Sequence, residues 1–146
     1  MPRVSAKAVI IRAQRLLLIS KRDADGTYYL LPGGGQEQNE RLDEAVRREC
    51  REELGADVEV GELLLVRDYI GANHEFADTD NSHQVELMFA CRIAEDYEPM
   101  VGRNPDNDQI GVVWVPLDEL DKSRIYPSSL RGAIASGARG YLGDIN

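Results

Sequence analysis

One long helical pattern interrupts a chain otherwise rich in strand signals, and it runs from Asn39 or Glu40 to Gly55. Leu42, Ala45, Val46, Glu49, Cys50, Glu53 and Leu54 recur there at three- and four-residue spacing, the period of an α-helix. Asn39 reads as the N-cap, Glu40, Asp43 and Glu44 suit the positive end of the helix dipole, and Gly55 suits the left-handed position just past the last turn. The apolar stripe must be covered by other elements, and those on offer are mostly strands. Val4 to Ala13 and Leu16 to Lys21 read as a hairpin with Gln14 and Arg15 between them. Asp23 to Gly26 is a turn, Tyr28 to Leu31 a short strand stopped by Pro32, and strands recur at Leu63–Tyr69, Val85–Ile93 and Val112–Val115. Ser128 to Ser136 reads as a second helix with Leu130, Ala133 and Ile134 inward. Strands, helix, strands, helix is the order of an α+β sandwich with a mixed sheet, not of repeated βαβ units.

At 146 residues the chain fits one domain, residues 1–146, with enough material for a core that needs no disulfides. Cys50 and Cys91 lie among apolar neighbours without CxxC spacing, and read as two buried thiols in a reducing compartment. The stretch Met1 to Ala13 carries Arg3, Lys7 and Arg12 around the run Ala8–Ile11, a strand rather than a signal peptide. Leu16 to Ile19 is far short of the ~20 apolar residues of a membrane span. A cytoplasmic protein with no membrane partner is expected. The formal charge of −9 disfavours binding to duplex nucleic acid. It permits a small polyanionic substrate only if something cationic stands in the site.

Glu49, Glu52 and Glu53 stand at i, i+3 and i+4, so their carboxylates share one helical face. Glu49 and Glu53 fall on the stripe that carries Val46 and Cys50, near the inward edge of the helix. Like charges at this spacing repel, and more strongly when half-buried, so the arrangement calls for a cation. Clustered carboxylate oxygens match a hard divalent ion such as Mg²⁺. Taken alone, the helix also reads as a solvated, salt-bridged surface, with Glu44–Arg48 and Arg48–Glu52 pairs and Arg47 and Arg51 outward. The preceding Leu31-Pro32-Gly33-Gly34-Gly35 supplies permissive backbone for close approach to a ligand. It is not a P-loop, because no Gly-Lys-Ser/Thr follows, nor a dinucleotide fingerprint, because Gln38 stands at the third glycine.

Loop and helix together resemble the Nudix box: Gly, five residues, Glu, seven residues, then Arg-Glu-aliphatic-any-Glu-Glu-any-Gly-aliphatic. Here the fixed letters are Gly34, Glu40, Arg48, Glu49, Glu52, Glu53 and Gly55, all at the family's spacing across residues 34–56. Cys50 and Ala56 replace larger aliphatics, and Asn39 takes a place often held by glycine. The resemblance implies an α/β/α sandwich with the box helix packed on a mixed sheet. It implies Mg²⁺-dependent hydrolysis of a diphosphate linkage in a nucleotide-derived small molecule, with Mn²⁺ as a substitute cation. Carried over by position, Glu49, Glu52 and Glu53 would hold metal, the Gly33 carbonyl would add a ligand, and Arg48 would grip a carboxylate. Glu40, with Gly34 and Gly55, would support the loop–helix geometry. Glu49 is the first choice of general base. Asp106 or Asp108, ahead of the strand with Trp114, is the alternative acid, with Asp108 preferred of the two as an extra metal ligand; Asn104 to Asp108 also reads as a plain solvated turn.

Other residues carry weaker signals. Gly71 to His83 is a long polar segment that reads as a substrate-side loop or a mobile connection. Asp78-Thr79-Asp80 starts like an EF-hand, but His83 stands where glycine is required and Phe89 where the last glutamate belongs. His74 is a candidate substrate contact or a solvated loop histidine, as is His83. Glu86 shares a strand face with Met88, facing either the site or solvent. Tyr29, with Tyr28 and Phe76, could stack a base or serve the core. Within the family, nucleotide sugars such as ADP-ribose are weakly favoured. A MutT-like nucleoside triphosphate activity, dinucleoside polyphosphates and RNA 5′-end pyrophosphohydrolysis stand as alternatives, and homodimerisation stays open. The rival of a different class is a non-catalytic nucleotide-binding module; loss of box carboxylates would mark it, and none is lost.

Overall fold

The computed structural model describes residues 1–100, 102 and 108–146. Its strands are β1 (Arg3–Arg12), β2 (Arg15–Asp23), β3 (Gly26–Leu30), β4 (Gly33–Gly35), β5 (Val58–Ile70), β6 (His83–Ile93), β7 (Gln109–Pro116) and β8 (Gly140–Asp144). The helices are α1 (Leu42–Leu54) and α2 (Leu130–Ser136), with 3₁₀ turns at Gly71–Asn73 and Leu117–Lys122. The sheet is mixed. β1 pairs parallel with β6 and antiparallel with β4, β5 pairs antiparallel with β6 and parallel with β8, and β2 pairs antiparallel with β3 and β7. The β1–β2 hairpin joins the two halves through Ile11–Leu16 and Arg12–Arg15.

Two-residue alternation sends successive side chains of a strand to opposite faces, and here both faces are covered. Ala8, Ile10, Leu17 and Ile19 pack with Ala45, Val46, Cys50 and Leu54 of α1. Val9, Leu16 and Leu18 pack with Leu65, Met88, Leu130 and Ile134 on the α2 side. The result is an α/β/α sandwich of the α+β class with the acidic helix on the sheet. Cys50 and Cys91 are both buried and both free thiols. Among the described residues no helix is long and apolar enough to cross a membrane.

Several boundaries differ from the sequence reading for identifiable reasons. The hairpin turn is Ala13-Gln14, one residue earlier than expected, with both φ angles positive (51° and 62°), as a two-residue turn matching the strand twist requires. The helix is capped by Arg41, not Asn39; Glu44 reaches back to accept the Arg41 backbone N–H at 3.0 Å. Asn39 instead takes the left-handed conformation, φ 66°, which its short polar side chain tolerates. β4 and β8 carry too few side chains of strand character to announce themselves.

The last strand is fastened by Asp144. Its carboxylate accepts from the Ile70 backbone N–H (2.9 Å) and Asn73 Nδ2 (2.9 Å), and lies 2.7 Å from His74 Nε2. The Asn73 and His74 contacts hold its pKa down at about 2, against an ordinary 3.8. A depressed folded-state pKa contributes stability that is fully present above the unfolded value and is lost as pH falls through the folded one. Thermal stability of the wild type is therefore expected to fall between about pH 4 and pH 2 by more than that of Asp144→Asn, measured by circular dichroism melts. Parallel pH profiles would refute this role for Asp144.

Candidate active site

The site forms where the glycine run lies as an extra strand beside β1 and against the acidic face of α1. β4 pairs Ser5 with Gly35, Ala6 with Gly34 and Lys7 with Gly33. Gly33 has φ 133°, and a Cβ there would lie 2.7 Å from the Lys7 Cα and closer still to the Ala6 carbonyl oxygen. A Cβ on Gly34 would stand 2.6 Å from the Glu49 carboxylate. Glycine at 33 lets the loop lie against β1, and glycine at 34 lets the Glu49 carboxylate come down onto the strand.

Glu53 is the most buried of the three glutamates at 3% exposure, and its Oε1 accepts the Gly33 backbone N–H at 2.7 Å. Glu49 sits against Gly34, half-buried, and burial raises its pKa above the ordinary 4.5 while its contact with Arg48 pulls the other way. Glu52 is the more exposed partner, at 34%. Arg48 grips Glu40 with two bonds, Nε to Oε2 at 2.8 Å and Nη2 to Oε1 at 3.1 Å, and also donates to the Gly35 carbonyl at 2.8 Å. Its Nη1 donates to Glu49 Oε1 at 3.0 Å and lies 3.6 Å from Glu52. The Arg48 contact holds the Glu40 carboxyl below its usual value. One guanidinium thus ties the loop to the helix and neutralises part of the acidic face, as bidentate charge-assisted geometry favours.

Beside this core lies a cleft of about 190 Å³ lined by Arg3, Ser5, Lys7, Gly33, Gly34, Gly35, Glu49 and Gln84. Lys7 Nζ donates to the Gly33 carbonyl at 3.3 Å and lies 4.0 Å from Glu86 Oε2. Glu86 is buried and bound to Arg67 Nε at 2.6 Å. It is therefore not on a solvated sheet surface; it shares the α2-side face with Met88 and reaches the glycine loop through Lys7.

The structure brings Gly33, Gly34, Glu40, Arg48, Glu49, Glu52 and Glu53 together, with Gly55 (φ 70°) closing the helix. Asp108 is exposed in the turn entering β7; its neighbour Gln109 donates to the Glu53 carbonyl at 3.0 Å, so this turn adjoins the end of α1. Asp106 lies outside the described residues. Tyr29 is in mid-β3, packed on the α2-side core, and does not line the cleft. His74 stacks on Tyr69 with ring centroids 5.2 Å apart and is held by Asp144, at the edge where the Gly71–Ser82 loop leaves β5. Missed in the sequence were Arg3 and Lys7 as part of the cleft. Their signal was present: with Ser5 they alternate along β1, which fixes one face, but nothing local said which face meets the loop.

Whether these residues suit a metal turns on the donor set. Among the described residues no three His, Cys, Asp or Glu side chains form a ready cage. Oxygen donors on one helical face, with a glycine carbonyl beside them, nonetheless fit a hard divalent cation that retains several waters.

An acidic helix laid against a glycine strand that pairs with β1 of a mixed sheet, with helices on both faces, places the chain among the α/β/α sandwiches of the α+β class. A model of the NUDIX domain matches residues 1–133; the chain belongs to that family and is a Nudix hydrolase. It is 30% identical over 133 residues to a MutT-like protein of Streptomyces ambofaciens, covering 90% of this chain and 76% of that one. It is 33% identical over 115 residues to nucleoside triphosphatase NudI of Salmonella newport, covering 71% and 74%. A NUDIX hydrolase structure from Nitrosomonas europaea superposes with a TM-score of 0.76 at 20% identity, covering 97% of this chain and 94% of that one. Nudix hydrolases act on nucleotide-derived small molecules and generally use divalent metal ions.

Proposed function

We propose that this chain hydrolyses a phosphoanhydride bond of a nucleotide, with nucleoside triphosphates ahead of nucleotide sugars such as ADP-ribose. The observation that carries the hydrolytic reading is the Gly33 N–H to Glu53 bond together with Arg48 bridging Gly35, Glu40 and Glu49. It holds the carboxylates and the loop backbone as one unit. The preference for triphosphates rests on the 33% identity to nucleoside triphosphatase NudI.

In this reading Glu49, Glu52 and Glu53 hold divalent cation, Mg²⁺ or Mn²⁺, with the Gly33 carbonyl as a further ligand. When bound, such a cation neutralises phosphate charge and acidifies water. Glu49 is the proposed general base, because it stands at the cleft wall and is the half-buried member of the three. Asp108 is the alternative acid. Arg48 positions Glu49 and locks Glu40 rather than touching substrate. The Gly33–Gly35 backbone lets the phosphate chain approach without side-chain obstruction.

A panel of nucleoside triphosphates, nucleoside diphosphates, nucleotide sugars, dinucleoside polyphosphates and 5′-triphosphate RNA, assayed with Mg²⁺ and with Mn²⁺, tests the proposal. Products separated by ion exchange should show cation-dependent release of phosphate or pyrophosphate, fastest from triphosphates. Tight binding of a nucleotide with no turnover of any would instead establish a binding module.

A further inference from the structure

A chain of net charge −9 must draw a polyanion into a site whose helix is itself acidic, so each cation at the cleft has to be accounted for. Arg48 is committed to Glu40, Glu49 and the Gly35 carbonyl. Lys7 is committed to the Gly33 carbonyl and lies near Glu86. Arg3 differs. It lines the same cleft yet takes part in none of the ion pairs among the described residues, although the chain has 26 acidic residues to 17 basic ones.

Its position is defined by the fold. β1 holds Arg3, Ser5 and Lys7 on one face by alternation, and Arg3 faces Gln84 across the parallel pair with β6. Its guanidinium lies over Gly35, with Nη2 2.5 Å and Nε 2.8 Å from where a Cβ would stand. A side chain at residue 35 would displace it. An exposed guanidinium resting on a glycine strand, in a cleft that Glu49 also lines, presents a donor fork of the kind that matches phosphate oxygens.

We infer that Arg3 is a phosphate-binding residue of this site, taking oxygens of the substrate's phosphate chain in the cleft that Glu49 and Lys7 also line. The inference rests on the phosphoanhydride reading above and names the group that makes a triphosphate welcome to an acidic protein. Arg3 would supply attraction that does not depend on the carboxylates of α1.

The test uses inorganic imidodiphosphate, whose P–N–P link resists hydrolysis, titrated calorimetrically in Mg²⁺ into the wild type, Arg3→Ala, Arg3→Lys and Arg139→Ala. Arg139 is an equal charge on another surface, near Glu62. Arg3→Ala should weaken binding about tenfold or more, as loss of a charged hydrogen-bond pair does. Arg3→Lys should recover part of it, and Arg139→Ala should stay within twofold of the wild type. With a hydrolysed triphosphate, Arg3→Ala should raise KM by a similar factor and change kcat less. Arg3→Ala binding within twofold of the wild type, equal losses in Arg3→Ala and Arg139→Ala, or no binding by the wild type each overturns the inference. Arg3-dependent imidodiphosphate binding without turnover of any nucleotide would sink the hydrolytic reading while supporting Arg3. Turnover with Arg3-independent binding would do the reverse.

Discussion

Glu53→Gln is expected to lower kcat by roughly 10²–10³-fold, the scale on which single electrostatic groups at a reaction centre matter, while leaving the fold intact. The amide keeps an oxygen that can accept the Gly33 N–H now bound at 2.7 Å, so the strand–helix junction retains its tie. What disappears is a negative charge in a position only 3% exposed. In a purely structural role such a charge is costly, and neutralising it would leave activity alone or even stabilise the chain. In a metal-holding role its loss weakens cation binding. Glu52→Gln, at the more exposed carboxylate, should lose activity on a comparable scale. Melting curves, steady-state kinetics and Mn²⁺ binding by electron paramagnetic resonance separate the cases. Normal turnover in both variants, or unaltered Mn²⁺ affinity, would eliminate the proposed roles.

Gly33→Ala is expected to be the most damaging single methyl group that can be added to the chain's glycine loop. The residue's φ of 133° is disfavoured for an L side chain, and the new Cβ would meet the backbone of β1 at Ala6 and Lys7. Unlike the Glu49 carboxylate facing Gly34, strand backbone cannot swing aside. Conformational strain and overpacking together give about 3 kcal/mol of destabilisation, or roughly 6–12 °C in Tm for a domain of this size. Relief by peeling β4 from β1 would pull the Gly33 N–H from Glu53, so activity should fall with stability. A Tm within about 2 °C of the wild type with full turnover would show that the loop is not held as described.

The acidic face of α1 was legible because helical periodicity is local: Glu49, Glu52 and Glu53 share a side of the helix whatever surrounds it. The strand–helix order and an α+β sandwich with a mixed sheet followed from the same short-range patterns. So did the family resemblance, whose box is a string of fixed spacings from Gly34 to Gly55, and it was the resemblance that implied the α/β/α layering. Even there the helix start was misplaced, since Asn39 suited a cap by type but was recruited for a left-handed turn.

Tertiary structure decided how the charges are shared. The same Arg48 that suited a solvated i, i+4 network is drawn to Glu40, eight residues away, and to the Gly35 carbonyl, thirteen away. Glu86, ambiguous on its strand, is buried against Arg67. Arg3 and Lys7, in sequence no more than charges near the N-terminus, line the cleft because β1 pairs in one register with β4 and β6. By itself the sequence determined which residues share a helix face or a strand face and hence that three carboxylates stand together. Which cations meet them depended on strand register and sheet closure, because contacts across the fold are selected by the packing of the whole core rather than by spacing along the chain.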